Sequence, residues 1–329
     1  LRLYLLEQMD PVRCKYNIPS AFIVDGLLDV ERLEYAINTV INRHEILRTS
    51  FEIIDDMPMQ IISDSVQFVI ERVGLITDID TQIKAFVREF DLKTPPLIHA
   101  LIGRIDETRM LFLFDMHHLI TDGTSAQLFI REIEKIYNGE ALEPVVHQYK
   151  EYAIRANRYT GSEAYQKQLS YWKDVVRTEY KKVKLPTASA NHYSDGSTGR
   201  NYYFEIGSDL QSKMKAYGEQ HNYTEYMLMI AALNILLHKY TGAEDLTVGT
   251  PVFGRNSREE NEMLGVFINI LVLRNYVRDE MSVKELFEGT KKRILDAFDH
   301  SGCGFEDLVQ HVQVDRDLTQ NPLFDIMFV

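Results

Sequence analysis

Two adjacent histidines, followed shortly by an aspartate and a glycine, are the residues of this sequence best suited to chemistry: His117, His118, Asp122 and Gly123. An imidazole can give or take a proton near neutral pH, so a histidine in a cleft suits general acid–base catalysis. Neighbouring side chains in extended backbone point to opposite sides. We therefore expect one imidazole to face a cleft and the other to be packed.

The segments on either side predict how this stretch is held. The apolar run at 110–116 predicts a buried strand, and residues 124–138 predict an amphipathic helix that ends at Gly139. Asp122 and Gly123 then lie at a helix N-terminus, where unpaired N–H groups and the positive end of the helix dipole can hold a developing oxyanion.

Structural roles are equally compatible with these residues when they are taken alone. An aspartate before a helix is more often a cap than a catalytic acid. A histidine beside an apolar strand is usually a packed or surface residue. Adjacent histidines rarely converge on one metal ion, and no third group of ligands is evident, so we expect no metal site. Spacing alone leaves catalysis and structure evenly balanced.

The remaining pattern predicts a mixed α/β protein with two lobes, residues 1–165 and 166–329. A connection rich in Ser, Gly, Asn and Asp occupies 186–199. Both ends look cut, so we expect a piece of a larger polypeptide whose second lobe is truncated. Helices are predicted at 29–42, 80–90, 148–178, from 208, at 223–240, 283–298 and 305–312, and strands at 48–54, 97–105, 202–206, 246–250 and 266–276.

Composition excludes several classes of protein. The net charge of −13 argues against nucleic acid and gives no sign of binding to an anionic membrane. The longest apolar run, at 226–237, is shorter than the roughly 20 residues that a bilayer requires. Cys14 and Cys303 are far apart and form no metal motif, which predicts free thiols in a reducing cytoplasm.

Several stretches resemble the ordered motifs of one family. MHHLITDGTS at 116–125 resembles the HHxxxDG motif of condensation domains of nonribosomal peptide synthetases, relatives of chloramphenicol acetyltransferase. HSGCGFE at 300–306 departs from the sixth motif of the family, which affects the expected shape of that loop only. The other similar stretches are RLYLLEQ at 2–8, RHEILRTSF at 43–51, YKEYAIR at 149–155, LGVFINILVLR at 264–274 and RDLTQNPLF at 316–324.

The resemblance implies two chloramphenicol acetyltransferase-like α/β sandwich lobes that form a V, with the active site at their junction. It implies amide bond formation between two thioesters carried on the phosphopantetheine arms of upstream and downstream carrier domains, beside an adenylation domain. No cofactor is expected to be bound covalently by the domain itself. Such domains serve the biosynthesis of antibiotics and other secondary metabolites.

The resemblance also implies a role for each site residue. His118 would orient the attacking amine or take its proton, and Gly123 would offer an N–H to the oxyanion. His117 would be structural. Asp122 would pair with Arg255 from the second lobe, and the second-motif arginines Arg43 and Arg48 would support the floor under the loop.

Two relatives of the same fold remain as alternatives. Epimerization domains share HHxxxDG, but NPLFDIMF at 321–328 follows the condensation pattern. A non-catalytic recruiting domain would tend to lose the active-site histidine, which is present here. Heterocyclization domains replace the histidines with aspartates and are excluded. The details of 43–51 and 116–125 most resemble the subtype that joins two L-residues.

Overall fold

The structure, a computed structural model, describes residues 2–9, 14–176, 182–183, 185–186, 201–311 and 321–329. The predicted connection after Pro186 and residues 316–320 of the last motif lie outside this range. The helices are α1 (Arg2–Met9), α2 (Val30–Arg43), α3 (Ile79–Phe86), α4 (Gly123–Tyr137), α5 (Tyr149–Tyr159), α6 (Glu163–Val175), α7 (Ser208–His221), α8 (Glu225–Thr241), α9 (Arg258–Asn261), α10 (Val283–Asp299) and α11 (Phe305–His311). The strands are β1 (Asn17–Asp25), β2 (Thr49–Ile54), β3 (Met57–Ile62), β4 (Glu71–Leu75), β5 (Ile98–Arg104), β6 (Arg109–His117), β7 (Asp245–Val252) and β8 (Asn269–Tyr276).

Contacts within the chain define two compact units. Unit 1 consists of Leu1–Arg158 and Arg255–Phe267, and unit 2 consists of Tyr159–Gly254 and Ile268–Val329. The predicted lobes, 1–165 and 166–329, follow a single division of the chain. In the structure, residues 255–267 belong to unit 1 although they follow most of unit 2 in the sequence. Arg255, which was assigned to the second lobe, lies in this segment and is therefore part of unit 1.

Unit 1 is built on a four-stranded sheet in the order β1-β6-β5-β4. β6 is antiparallel to both of its neighbours, and β5 and β4 are parallel. The apolar run of β6 is buried along nearly all of its length because both of its faces are covered: Met110, Phe114 and Met116 lie in one hydrophobic cluster, and Leu111 and Leu113 lie in another. β2 and β3 form a separate antiparallel pair. The predicted strand before the two histidines is therefore confirmed as β6.

Helices α2 and α4 form the second layer of unit 1. Asp29 caps α2 by accepting a hydrogen bond from the Arg32 N–H at 3.0 Å. The buried face of α2 includes Ile37 and Val40, which have no exposed surface. α2 packs against α4, so the element after the histidines rests on the unit's main hydrophobic core.

Unit 2 is built on the antiparallel pair β7 and β8, against which α10 packs. Trp172 on α6 is buried, and its Nε1 donates to the His300 carbonyl at 2.7 Å. The last residues also contact this unit, because Gly249 N donates to the Ile326 carbonyl at 2.9 Å. A Cβ on Gly249 would lie 2.3 Å from the Phe324 ring, so glycine allows this close approach.

Several sequence-based assignments were wrong. The predicted strand at 202–206 is not formed, and Tyr202 and Tyr203 are 87% and 86% exposed. The predicted helix at 148–178 is divided into α5 and α6, with a break before Ser162, the N-cap of α6. The strand predicted from 266 begins at Asn269, because the preceding segment belongs to unit 1. α1, β1, β3, β4 and α9 were not predicted.

Candidate active site

The histidine loop, residues 117–123, connects the end of β6 to the start of α4. The His117 carbonyl accepts a hydrogen bond from the Ile120 N–H at 3.1 Å, which closes a tight turn. The His118 N–H donates to the Tyr16 carbonyl at 2.8 Å. The backbone of His118 is thus fixed by the turn on one side and by the segment before β1 on the other.

His117 is the packed histidine. It has no exposed surface, its Nδ1 accepts the Leu119 N–H at 3.0 Å, and its Nε2 lies 2.9 Å from the carboxylate of Glu7. A backbone N–H can only donate, so Nδ1 must be unprotonated and Nε2 must carry the proton. Protonation of Nδ1 would break the bond to Leu119, which makes His117 unsuited to proton transfer.

His118 is only partly buried, and its ring is differently placed. Its Nδ1 is shielded from solvent, yet within the described part of the chain it has no hydrogen-bond partner. A buried polar atom without a partner costs about 1–3 kcal/mol. In contrast to His117, no carboxylate of the described residues is bound to this ring. His118 is therefore the histidine of the loop that is free to bind another molecule.

Asp122 is fully engaged in holding the loop. It is the N-cap of α4, and its Oδ1 accepts the Ser125 N–H at 2.8 Å. Its Oδ2 accepts the Phe267 N–H at 3.0 Å, and Arg255 Nη2 lies 3.1 Å from Oδ1. The two charged side chains are only 5% and 2% exposed. Asp122 and Arg255, which the family resemblance paired, therefore meet in a buried ion pair.

Arg255 contacts more than the aspartate. Its guanidinium donates to the Met263 carbonyl at 2.7 Å and also to the Glu260 carbonyl. It also lies 4.0 Å from the centre of the Phe267 ring, in a cation–π arrangement. The arginine thus closes the 255–267 segment on itself while its Nη2 reaches the start of α4.

Ser125 is a further member of this network, and sequence reasoning gave it no role. Its Oγ accepts from Arg255 Nη2 at 2.7 Å and from the Gly265 N–H at 3.0 Å, and it donates to the Gly265 carbonyl at 2.6 Å. Its only sequence signal was a small polar residue on the first turn of a helix that otherwise buries apolar side chains.

Gly123 is the first residue of α4, and no heavy atom lies within 4 Å of the position that a Cβ would take. Within the described residues its N–H has no hydrogen-bond acceptor, as expected for the first position of a helix. Gly123 is also exposed, so its N–H is available to an acceptor at the positive end of the α4 dipole.

Within the described residues, neither Arg43 nor Arg48, both expected under the loop, forms a hydrogen bond or an ion pair with residues 117–123. Arg43 Nε is 3.3 Å from a carboxylate oxygen of Glu132 on α4, and its Nη2 donates to the Glu143 carbonyl at 2.6 Å. Arg48 donates to the Ser63 carbonyl, close to β3. In the contacts of the described residues, Arg43 but not Arg48 binds α4, the helix that follows the loop.

A second group of polar residues lies on the sheet close to the loop and was not predicted. Asn17 Nδ2 donates to Asp115 Oδ2 at 2.7 Å, and His99 is the cross-strand partner of Asp115. The His99 ring stacks on Phe90 at 4.1 Å. Burial, with a further contribution from the nearby Arg88, lowers the pKa of His99 to about 4, and burial raises the pKa of Asp115. The sequence signal for this group was the presence of a polar residue, His99 or Asp115, within an otherwise apolar strand.

In the described part of the chain, no group of three histidine, cysteine, aspartate or glutamate side chains is arranged to hold a metal ion. Within the same residues, no helix combines the length and the apolar character required to cross a membrane. Neither Cys14 nor Cys303 takes part in a disulfide bond in the described part of the chain.

Comparison with known families gives this geometry its context. The sequence model described as "Condensation domain" matches residues 1–329. The chain belongs to the condensation-domain family. Gramicidin S synthase 2 of Brevibacillus brevis is 36% identical to this condensation domain over 328 residues, which are 99% of the chain but 7% of that protein. The chain thus spans a small part of such relatives.

Solved structures show the same fold. The condensation domain from the Monacolin K polyketide synthase MokA matches with a TM-score of 0.89 and 19% identity, covering 99% of this chain and 78% of that one. The X-domain from teicoplanin biosynthesis matches with a TM-score of 0.87 and 21% identity, covering 99% and 75%. At these identities the matches establish the mixed α/β condensation fold of this domain and nothing about its chemistry.

Proposed function

We propose that this condensation domain forms an amide bond between the acyl group of a donor thioester and the amine of an acceptor aminoacyl thioester. The observation that carries the proposal is the histidine loop, where His117 is locked by hydrogen bonds and the His118 ring has none with the described residues. The N–H of Gly123 at the start of α4, which has no acceptor among the same residues, supports it. A relative at 36% identity is named as the synthase of a peptide, gramicidin S.

In the proposed reaction, the amine nitrogen attacks the thioester carbonyl carbon and forms a tetrahedral oxyanion. The C–S bond then breaks, the thiolate takes up a proton, and the nitrogen loses one. An α-amino group has a pKa of roughly 7.7–8.0 and a thiol one of roughly 8.5, so neither strong base nor strong acid is required. Orientation can supply about 7–11 kcal/mol and is the larger contribution.

Each residue of the loop has a part in this proposal. His118 hydrogen-bonds and orients the amine, or accepts its proton as the intermediate forms. The Gly123 N–H donates to the oxyanion. Asp122 and Arg255 are structural, since every carboxylate oxygen of Asp122 is already bound within the protein.

The partners belong to the proposal as well. Donor and acceptor arrive on the 4′-phosphopantetheine arms of upstream and downstream carrier domains, and the neighbouring adenylation domain loads a carrier. The domain itself then requires no covalently bound cofactor. We place it in the cytoplasm, in the synthesis of an antibiotic or similar secondary metabolite, and in the subtype that joins two L-residues.

The test is a condensation assay with two separately loaded carrier domains and identification of the product by mass spectrometry. We expect His118→Ala to slow product formation by about 10²-fold or more, within the range for loss of a general acid–base group. His147→Ala is the matched control, because His147 is 40% exposed and pairs only with Glu151 in the described residues. An unchanged rate in His118→Ala would refute the assignment.

The product also separates the alternatives. An inverted donor centre without a new amide bond would indicate an epimerization-type relative. A folded wild-type protein that yields no product with any carrier pair would favour a recruiting domain of the same fold.

A further inference from the structure

We infer that Glu7 is a positioning residue for the condensation reaction: its carboxylate fixes the tautomer of His117, and the tautomer fixes the turn that presents His118. The inference rests on the proposed function. Glu7 lies on α1, 110 residues before His117 in the sequence.

The Glu7 carboxylate is held inside unit 1. It is 3% exposed, and it lies 2.9 Å from Nε2 of His117, which has no exposed surface. α1 is anchored next to it by Tyr4, which is also buried and stacks on Phe51 with ring centres 6.1 Å apart. Glu7 is thus brought to the histidine by a packed helix, and both groups are removed from water.

The two ring nitrogens of His117 have opposite tasks. Nδ1 must accept because its partner is the Leu119 N–H, and Nε2 must then donate. An ionised carboxylate only accepts, so Glu7 matches the tautomer that the turn requires. The other tautomer would place two N–H groups, those of Nδ1 and Leu119, against each other and would leave Nε2 without a donor.

The consequence reaches His118 through the backbone. His118 lies between His117, whose carbonyl closes the turn to Ile120, and Leu119, whose N–H is bound to the His117 ring. A change of tautomer would release Leu119 and allow the turn to rearrange. Since a displacement of about 1 Å in a positioning residue can cost on the order of 10²-fold in rate, Glu7 controls catalysis without touching a substrate.

Three substitutions separate acceptor geometry from charge. Glu7→Gln keeps the shape and an acceptor oxygen but removes the charge. Glu7→Asp keeps the charge but is one methylene shorter and withdraws from Nε2. Glu7→Leu removes both properties. Gln8→Leu is the matched control, because Gln8 is the next residue of the same helix and is exposed.

The first measurement is independent of activity. Two-bond ¹H–¹⁵N correlation spectra of histidine-labelled protein report which ring nitrogen carries the proton, and His117→Asn identifies the resonances of His117. We expect a protonated Nε2 and a bare Nδ1 in the wild type, in Glu7→Gln and in Gln8→Leu. Glu7→Leu should lose this single state. A wild-type protein with its proton on Nδ1 would overturn the inference, whether or not the domain condenses thioesters.

The second measurement is the single-turnover condensation rate with pre-loaded carriers. We expect a loss on the order of 10²-fold in Glu7→Leu, a similar direction of change in Glu7→Asp, and retention of most of the rate in Glu7→Gln. If Glu7→Leu does not fold, comparing the rates of Glu7→Gln and Glu7→Asp still tests the inference. A folded Glu7→Asp or Glu7→Leu protein with the wild-type rate would overturn the inference. Absence of condensation in the wild type would instead count against the proposed function alone.

Discussion

Removing either partner of the Asp122–Arg255 ion pair should weaken unit 1 strongly, and removing both should cost less than the sum. The two side chains are 5% and 2% exposed, so each variant leaves a charge in a site that excludes water. Breaking a buried pair from one side costs about 3–5 kcal/mol. Arg255→Met also leaves the Met263 carbonyl without this donor.

The matched single variant at the other side is Asp122→Asn. Asparagine is as good an N-cap as aspartate, so the bond to the Ser125 N–H can survive. Its single oxygen cannot also accept the Phe267 N–H, so that bond is lost together with the charge. We expect a coupling free energy of about 1–3 kcal/mol in the double-mutant cycle, because the two residues are in direct contact. Arg109→Met is the control, since Arg109 is 47% exposed and pairs with Asp106 at the surface, where such a pair contributes about 0–1 kcal/mol.

Hydrogen exchange is the suitable assay because it reports each unit separately. A loss of about 3 kcal/mol corresponds to roughly 10²-fold faster exchange of the amides of Ser125 and Phe267, which bind Asp122. Trp172 is the only tryptophan and lies in unit 2, so its fluorescence should be unchanged. Strictly additive losses, or exchange at the wild-type rate in Arg255→Met, would refute the structural role given to the pair.

Two further variants test the backbone geometry at Gly265 and the protonation of a partly buried histidine, His99. Gly265→Ala should destabilise unit 1 by about 2–5 kcal/mol in urea unfolding, because φ is +153° and the new Cβ would lie 2.0 Å from the Tyr149 ring. Gly74→Ala, with nothing within 4 Å, should have a small effect, and equal losses in the two would contradict this account. The folded-state pKa of His99 is lowered to about 4, so the unfolded chain binds the extra proton below pH ~6.5 and stability should fall as pH decreases from 6.5 to 4. His99→Phe should reduce this fall by about 2–3 kcal/mol in unfolding measured at several pH values, and an identical pH dependence would disprove it.

Elements with a clear period and a cap were predictable from the sequence. α2 was predicted within one residue at each end, since its apolar residues repeat at helical spacing and Asp29 is an evident cap. α4 was equally clear. β1 was missed because it is an edge strand with Pro19 and mixed exposure, and all five residues of β4 are exposed.

The strand expected at 202–206 shows the reverse case, in which the sequence favours a strand that the structure does not form. Its aromatic and β-branched residues favour a strand locally, but strand propensity depends on partners that a single sequence does not show. Phe204 remains 73% exposed. Local preference was therefore not decisive where no neighbouring strand fixed it.

Of the site, the sequence supported a strand–loop–helix arrangement in which the two histidines have different environments. Which histidine is packed could not be settled by alternation alone, since that depends on Glu7 of a distant helix. Arg255 was found through the family resemblance, because a separation of 133 residues has no local signal. The sequence also gave no indication of the contacts of Ser125 or of the Asn17–Asp115 hydrogen bond, because the residues that they join are 140 and 98 positions apart.

The return of residues 255–267 to unit 1 sets an order of events during synthesis. One hydrogen-bond partner of Asp122, the Phe267 N–H, lies 145 residues further along the chain. At about 5–20 residues per second, a ribosome needs roughly 7–30 s to make that stretch, and much of unit 2 emerges in the meantime. The histidine loop is therefore synthesised well before the residues that hold it. During that interval Asp122 of the nascent chain can bind neither Arg255 nor the Phe267 N–H.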